Sequence, residues 1–262
     1  MATQVTAHMP TAALEPGSLG QLWWAEGGRR LLLTAVLPLL AVAAVAWSLV
    51  VRASDGDVMT AGGFVGAWAV MMVAMMLPAV APVVGLYALA ARRGVVAAVP
   101  YFVMGYLLVW SATGIPAYAM SRWVSEPLMD GKPWVARLTG GALLVAAGYQ
   151  LTPLKATCLR RCRSPLSFFL TRSRSLSRPR AALAAGASHG VYCLGCCWAV
   201  MGVLAVLGGM QLGWALALAV VISLEKLAPW GLTVSRVTAA ASAVLGVALL
   251  AEPSLLVHLI RM

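Results

Sequence analysis

Charged residues are scarce in this sequence, and acidic residues are the rarest of them. Charged side chains make up 10% of the 262 residues, with 8 Asp and Glu against 19 Lys and Arg. Because a soluble domain carries about 25% charged residues, this composition excludes an ordinary water-soluble fold. With 61% hydrophobic residues and a mean hydropathy of +0.88, the chain is predicted to be an integral membrane protein.

Histidine is also rare, and the motifs of several enzyme classes are missing. The three histidines are His8, His189 and His258, so a buried bis-histidine haem is not expected. The sequence has no Gly-rich phosphate loop, no His-Glu-x-x-His zinc motif and no Cys-x-x-Cys-His haem attachment site. We therefore expect a binding or transport protein rather than an enzyme.

Cysteine is absent from most of the chain. All five cysteines lie between Cys158 and Cys197. Their odd number, in a sequence without a signal peptide, argues against a secreted disulfide framework. Residues 1–28 have no early apolar core, and we expect them to form a cytoplasmic N-terminal tail.

Uncharged runs divide residues 29–262, which we predict to form a single transmembrane domain. The predicted fold is an all-α, polytopic membrane bundle of about seven transmembrane helices, with six as the fallback. The predicted spans are 31–51, 63–90, 96–120, 138–154, 182–207, 211–230 and 237–258. Eight of the nineteen basic residues fall in the loop 155–180. The positive-inside rule places this loop and the N terminus in the cytoplasm and the C terminus outside, and it explains the net charge without nucleic-acid binding.

The predicted span five carries the densest group of metal-binding side chains. His189, Cys193 and Cys197 follow one another at i, i+4, and Cys196 lies three residues after Cys193, so all four line one stripe. Ionisable and soft-ligand side chains inside a bilayer usually mark a site. A lone cysteine is often only a small buried apolar residue. Three thiols in five positions beside a histidine favour a metal or redox site.

The predicted span two carries four methionines, Met71, Met72, Met75 and Met76, which form two i, i+4 pairs. The topology places them near mid-membrane, level with the thiols of span five. Thioethers and thiolates are soft ligands that select Cu(I) over magnesium or calcium. Methionine also fills gaps in any apolar bundle, so packing alone is the alternative.

A second cysteine pair, Cys158 and Cys162, follows span four at i, i+4. Lys155 and three arginines surround the pair, and these charges should favour the thiolate. The pair is interpreted as an entry or hand-over site for a soft metal. The alternative is an interfacial segment whose arginines meet anionic lipid head groups.

The dipeptide Glu225-Lys226 lies within the predicted span six. A carboxylate inside a membrane is a functional candidate by default. We expect Glu225 to support His189, to carry a proton or simply to pair with Lys226. Alternatively, the span ends early and both residues are ordinary charges at its cytoplasmic end.

Together, these motifs resemble an uncharacterised bacterial family described as predicted metal-binding integral membrane proteins, some of which carry a copper-chaperone label. The resemblance covers about residues 60–230. It rests on Met71-Met-Val-Ala-Met-Met-Leu-Pro78, Gln150-Leu-Thr-Pro-Leu-Lys155, Cys158-Leu-Arg-Arg-Cys162-Arg-Ser-Pro165, His189-Gly-Val-Tyr-Cys193-Leu-Gly-Cys-Cys-Trp198 and Glu225-Lys226. It implies a helical fold in the bacterial inner (plasma) membrane and metal binding by the motif residues.

The leading hypothesis is intramembrane binding and transfer, or transport, of a soft metal ion. Cu(I) is the preferred ion because it needs only two or three soft ligands, and Zn(II) is the alternative because three Cys and one His form a normal zinc set. Ligands on consecutive turns of one straight helix cannot all close around one ion. Partners from span two, or a local unwinding at Gly190 or Gly195, are therefore expected.

The proposed ligands are the Cys193, Cys196 and Cys197 thiolates. His189 and the methionines of span two complete the site, and the second cysteine pair accepts or delivers the ion. The expected partners are the metal ion, the lipid bilayer and a copper chaperone or cuproprotein. Two alternatives remain open: a membrane thiol–disulfide oxidoreductase coupled to quinone, and a structural or assembly subunit for a cuproprotein.

Overall fold

The described part of the chain is entirely helical in its regular secondary structure, which confirms the predicted all-α fold. The computed structural model describes residues 32–53, 60–90, 98–130, 132–163, 178–206 and 212–256. The predicted cytoplasmic tail 1–28 lies outside the described residues, as does the part of the predicted basic loop from 164 to 177.

The helices range from 11 to 30 residues in length, and several of them begin with proline. In chain order they are α1 (Leu37–Ala53, after a π-helical turn at Leu32–Val36), α2 (Ala61–Ala90), α3 (Val99–Ala112), α4 (Gly114–Met129), α5 (Pro133–Gln150), α6 (Pro153–Arg163), α7 (Pro179–Val206), α8 (Leu212–Leu227) and α9 (Gly231–Ala251). Proline suits the first helical position because the N–H that it lacks would have no partner within the helix.

Five segments of the described chain are long and apolar enough to cross a membrane, which indicates a multi-pass membrane protein. They are Leu33–Arg52, Ala61–Gly85, Val99–Leu128, Pro179–Val206 and Gly231–Ala251, and they correspond to predicted spans one, two, three, five and seven. Predicted spans four and six correspond to α5 and α8, which have 18 and 16 residues. At about 1.5 Å per residue these helices are about 27 and 24 Å long, short of a hydrocarbon core of about 30 Å. A count of seven spans therefore stays a prediction.

Two helices extend beyond the ends that charge predicts. Predicted span three ends at 120, but α4 continues past this point with Arg122 on its exposed side. Predicted span seven begins at 237, but α9 begins at Gly231 and exposes Arg236. A helix keeps charged residues when they face away from the core, so the charges do not mark helix ends here.

The first part of the predicted basic loop 155–180 forms the helix α6. Thr152 caps this helix, since its Oγ1 accepts a hydrogen bond from the Lys155 backbone N–H at 3.2 Å, and Pro153 follows at the first helical position. Lys155, Leu159 and Cys162 lie at i, i+4 and i+7, and all three are buried. One face of α6 therefore packs into the bundle although its sequence is strongly basic.

Helices α3 and α7 touch along their backbones because glycines face the contact. A Cβ atom at Gly186 would clash with the carbonyl oxygen of Phe102, and one at Gly105 would clash with that of Leu183. Small residues permit such close helix packing in membrane proteins. This contact brings Tyr106 of α3 against the thiol-bearing part of α7.

Candidate metal centre

The stripe predicted on span five lies inside the bundle. His189 is 5% exposed, and Cys193, Cys196 and Cys197 are each 1% exposed. All four project from α7, whose buried residues continue to Val206. The predicted common stripe is therefore confirmed as a buried face.

The local unwinding predicted at Gly190 or Gly195 does not occur, because α7 is helical through both residues. The two glycines allow close packing instead. A Cβ atom at Gly190 would lie 3.1 Å from the Tyr106 carbonyl oxygen, and one at Gly195 would lie 2.9 Å from Cys158 Sγ. The segment 186–190 also has Gly-x-Ser-x-Gly spacing, but it lies within a continuous helix rather than at the strand-to-helix turn that such a nucleophile requires.

Cys193 lies where three helices meet. Its Sγ is 2.9 Å from Lys226 Nζ of α8 and 3.0 Å from the Tyr106 hydroxyl of α3. The thiols of Cys196 and Cys197 donate hydrogen bonds to the Cys193 carbonyl oxygen, at 3.1 and 2.9 Å. The hydrogen-bond partners of the Cys193 thiol therefore come from α3 and α8.

The predicted hand-over pair is divided between two environments. Cys162 is buried, and its Sγ lies 3.9 Å from His189 Nε2. It also interacts with the thiols of Cys193 and Cys196, so it belongs to the central cluster. Cys158 is half-buried, whereas the other four cysteines are buried, and its Sγ lies against Gly195 of α7.

The basic neighbours of Cys158 do not produce the expected thiolate. Burial raises the pKa of the Cys158 thiol, and the opposing effect of Arg161 is smaller. The Arg161 guanidinium is engaged by Tyr192, to whose hydroxyl it donates at 2.6 Å and over whose ring it lies at 5.2 Å. The prediction that these charges favour the thiolate is therefore wrong for Cys158.

The four methionines of α2 are all buried, at 1% exposure or less. Met76 reaches the thiol cluster, with its Sδ 3.9 Å from Lys226 Nζ. Met71, Met72 and Met75 pack in the apolar core formed mainly by α1, α2, α3 and α7. Met71, Met72 and Met75 thus fit the packing interpretation, and Met76 is placed where the ligand interpretation also applies.

Glu225 pairs with Lys155, not with Lys226 or His189. Its carboxylate accepts hydrogen bonds from Lys155 Nζ at 2.7 Å and from Gln150 Nε2 at 2.8 Å. Consecutive helical residues point in different directions, so Glu225 and Lys226 face different neighbours. The predicted Glu225–Lys226 pair is therefore wrong.

Two residues of this region were not singled out by the sequence. Gln150 is a buried amide in an apolar run, and its position in the quoted motif was the available signal. Tyr106 had no signal in the sequence, because an aromatic residue in an apolar helix is ordinary. Both become visible only when α3, α5 and α8 pack against the motif helices.

Two pairs of side chains in the cluster have the separation of ligands that share one ion. Within the described ranges, no group of three or more His, Cys, Asp or Glu side chains is arranged to hold a metal. The distances from Cys162 Sγ to His189 Nε2 and from Cys196 Sγ to Cys197 Sγ are 3.9 and 4.0 Å. Two ligands at about 2.3 Å from one ion are about 3.8 Å apart at a tetrahedral angle and about 4.6 Å apart when linear. The two pairs match the spacing at a tetrahedral angle and are closer together than linear ligands would be. Among the described residues a four-ligand zinc set is not assembled.

Comparison with known proteins points to copper. A family model described as PpoB2, a copper chaperone, matches residues 65–249. The matched range contains every residue from Met71 to Lys226 that forms the cluster described above. No curated protein and no solved structure matches the chain.

Proposed function

The chain belongs to the PpoB2 copper chaperone family, and we propose that it binds Cu(I) at the buried thiol cluster and transfers it to a recipient. The copper is either delivered to a cuproprotein or moved across the membrane. The observation that carries this proposal is the convergence of soft ligands from three helices, α2, α6 and α7, on one buried region. Such ligands select Cu(I) over hard divalent ions.

The proposed ligands are Cys193, Cys196 and Cys197, together with the Cys162 and His189 pair. Two observations support this set: the pairwise spacings of 3.9 and 4.0 Å, and the burial of every member. Cu(I) is preferred to Zn(II) because two donors satisfy the former and four the latter. Met76 is the proposed thioether neighbour.

Cys158 is the proposed entry residue, one helical turn from Cys162 on α6. Cys158 is half-buried, so an ion bound there is partly accessible to solvent. Cys162 is buried and lies 3.9 Å from His189 Nε2, so these two residues are the next ligands along the proposed path. Transfer between pairs of ligands needs little movement, because Cys162–His189 and Cys196–Cys197 already have the separation of two ligands that share an ion. The direction of transfer in this proposal is from the cytoplasmic side.

The proposed topology has seven spans in the inner membrane, with the N terminus in the cytoplasm and the C terminus outside. The five candidate spans support its apolar part, and the positive-inside distribution of Arg29, Arg92 and Arg236 supports its orientation. In this arrangement α5 and α8 are short spans that cross within the bundle. Cysteine accessibility from either side of the membrane, measured at Ser54 and Ser164 replaced by cysteine, tests the orientation.

The experiment that tests the proposed function is metal analysis of detergent-purified protein loaded anaerobically with Cu(I), and separately with Zn(II). We expect stoichiometric copper in the native chain and its loss in a Cys193→Ser/Cys197→Ser double variant. Cys158→Ser is the matched comparison, because it removes the proposed entry thiol and not a thiol of the proposed ligand set: it should keep the copper at equilibrium and slow only its uptake. Absence of copper from the native protein contradicts the proposal and favours a redox role, which trapping of thiols with quinone then tests.

A further inference from the structure

The ammonium group of Lys226 contacts both kinds of sulfur donor that Cu(I) prefers. Its Nζ lies 2.9 Å from Cys193 Sγ and 3.9 Å from Met76 Sδ. Lys226 is 8% exposed. A cation therefore already lies against a thiol and a thioether, within the cluster proposed to bind copper.

The surroundings of Lys226 explain why its ammonium group contacts a sulfur atom. A buried charge is costly unless a partner compensates it. The neighbouring carboxylate of Glu225 is used by Lys155 and Gln150. Within the part of the chain that the structure describes, Lys226 has no carboxylate at salt-bridge distance. Cys193 sulfur is then the group that receives the ammonium charge, through a charge-assisted hydrogen bond.

We propose that Lys226 and Cu(I) compete for the sulfur atoms of Cys193 and Met76, so that the lysine limits how tightly copper is held and speeds its release. The inference rests on the proposed function and adds a regulator to it. Two positive charges a few ångströms apart in a buried site repel each other strongly, so both cannot lie against Cys193 at once. When copper binds, a copper–sulfur bond forms and the N–H···S hydrogen bond breaks. The displaced ammonium keeps its proton.

The same geometry fits a protein that must give up its metal. A site made only of thiolates holds Cu(I) tightly, and release then depends on the recipient alone. An ammonium that returns to Cys193 as copper leaves restores the charge-assisted hydrogen bond to its sulfur and lowers the cost of release. Lys226 is thus a positioning residue for release and not a metal ligand, because an ammonium has no lone pair to donate.

The variants Lys226→Gln and Lys226→Arg test the competition. Gln removes the charge and keeps a hydrogen-bond donor, whereas Arg keeps the charge. Cu(I) affinity is measured anaerobically against a chromogenic Cu(I) chelator, and the release rate is measured by the same absorbance after rapid mixing. We expect the dissociation constant of Lys226→Gln to fall at least about fivefold, the lower end of typical coupling between two sites, with slower release. Lys226→Arg should bind no more tightly than the native chain.

The outcomes separate this inference from the proposed function. A native protein that binds no Cu(I) contradicts the proposed function and the inference with it. A native protein that binds Cu(I), beside a Lys226→Gln variant with equal or weaker binding, contradicts the inference alone.

A measurement on the native chain covers the case in which Lys226→Gln does not fold. The chain has three lysines, Lys132, Lys155 and Lys226, so ¹⁵N-lysine labelling gives a simple side-chain spectrum. We expect addition of Cu(I) to shift the Lys226 resonance and to leave that of Lys155 in place, since its partner is Glu225. Lys226→Arg assigns the signal. A copper-loaded protein whose Lys226 resonance does not move overturns the inference.

Discussion

Two lysines are buried in this bundle, and they have opposite kinds of partner. Lys155 is 1% exposed and forms an ion pair with Glu225 at 2.7 Å. Lys226 lies against the sulfur of Cys193 at 2.9 Å. The first pair joins two hard groups that no soft metal displaces, whereas the second joins a cation to a soft donor that Cu(I) prefers. In the proposal above, the oxygen network contributes stability and the sulfur cluster exchanges copper.

The surroundings of the two lysines support this assignment. Gln150 fixes the second oxygen of Glu225 at 2.8 Å, and Ser235 Oγ donates to the Gln150 backbone carbonyl oxygen at 3.2 Å. These bonds tie together helices α5, α6, α8 and α9 with every carboxylate oxygen in use. Around the Cys193 sulfur, by contrast, the hydrogen-bond partners are a hydroxyl and an ammonium, neither of which is a carboxylate that fixes the group by charge.

The largest expected effect is loss of stability when the oxygen network is broken. In Glu225→Gln, the Lys155 ammonium stays buried without its counter-charge, and breaking such a pair costs about 3–5 kcal/mol. The midpoint of thermal unfolding in detergent should fall sharply. Glu126→Gln, on the exposed side of α4, is the control and should leave the midpoint nearly unchanged. An unchanged midpoint in Glu225→Gln would contradict the claim that the Lys155–Glu225 pair stabilises the fold.

A smaller loss should follow when the contact between α3 and α7 is opened. In Gly186→Ala the new methyl group clashes with the Phe102 carbonyl, and overpacking of this kind typically costs about 1–3 kcal/mol. Because α3 carries Tyr106, copper affinity should fall together with stability. Gly202→Ala lies on the same helix with open space around it and should be neutral or slightly stabilising. Equal behaviour of the two variants contradicts the close backbone contact.

Removal of one hydroxyl from the sulfur cluster should have a modest effect. Tyr106→Phe loses the hydrogen bond to Cys193 Sγ, which is worth about 1 kcal/mol in stability. We expect a small fall in the unfolding midpoint and an altered copper affinity, both measured in the assays above. Tyr101→Phe, at a tyrosine that is 40% exposed, serves as the matched control. A Tyr106 variant indistinguishable from this control would show that the hydroxyl does not act on Cys193.

The smallest expected effect concerns Cys158, the half-buried cysteine of α6. Because burial raises the pKa of its thiol, less thiolate is present at neutral pH than in a free cysteine. Alkylation by iodoacetamide should therefore be slow at pH 7 and should keep accelerating as the pH rises beyond 9. The rate is measured by mass spectrometry of the peptide that contains Cys158. A rate that is already maximal near pH 7 would indicate the thiolate and restore the original prediction for this residue.

Local sequence patterns predict some parts of this molecule and fail for others. The apolar runs and the i, i+4 spacing of His189, Cys193 and Cys197 predict a buried helical stripe, because burial and helical period are local properties. The partner of Glu225 is not a local property. Lys155 lies 70 positions away on a helix that basic composition had assigned to a loop.

The positions of charged residues did not predict where helices begin and end in this chain. Runs of arginine marked the ends of spans and the whole of the basic loop, yet α6 buries Lys155 and Cys162 on one face. Hydropathy averages over all sides of a helix, so it cannot distinguish a solvated segment from a charged helix with one buried face. The helical spacing of the buried residues within 155–163, together with the Thr152-Pro153 cap, does predict a helix with one buried face. A hydropathy average over the segment does not show this pattern.

The central claim is that buried sulfur atoms bind Cu(I), and X-ray absorption at the copper edge tests it most directly. Native protein loaded with one equivalent of Cu(I) should show two- or three-coordinate copper with sulfur neighbours at about 2.3 Å. The Cys193→Ser/Cys197→Ser double variant should lose that sulfur shell. Copper surrounded only by nitrogen and oxygen, or a sulfur shell unchanged in the double variant, would contradict the account.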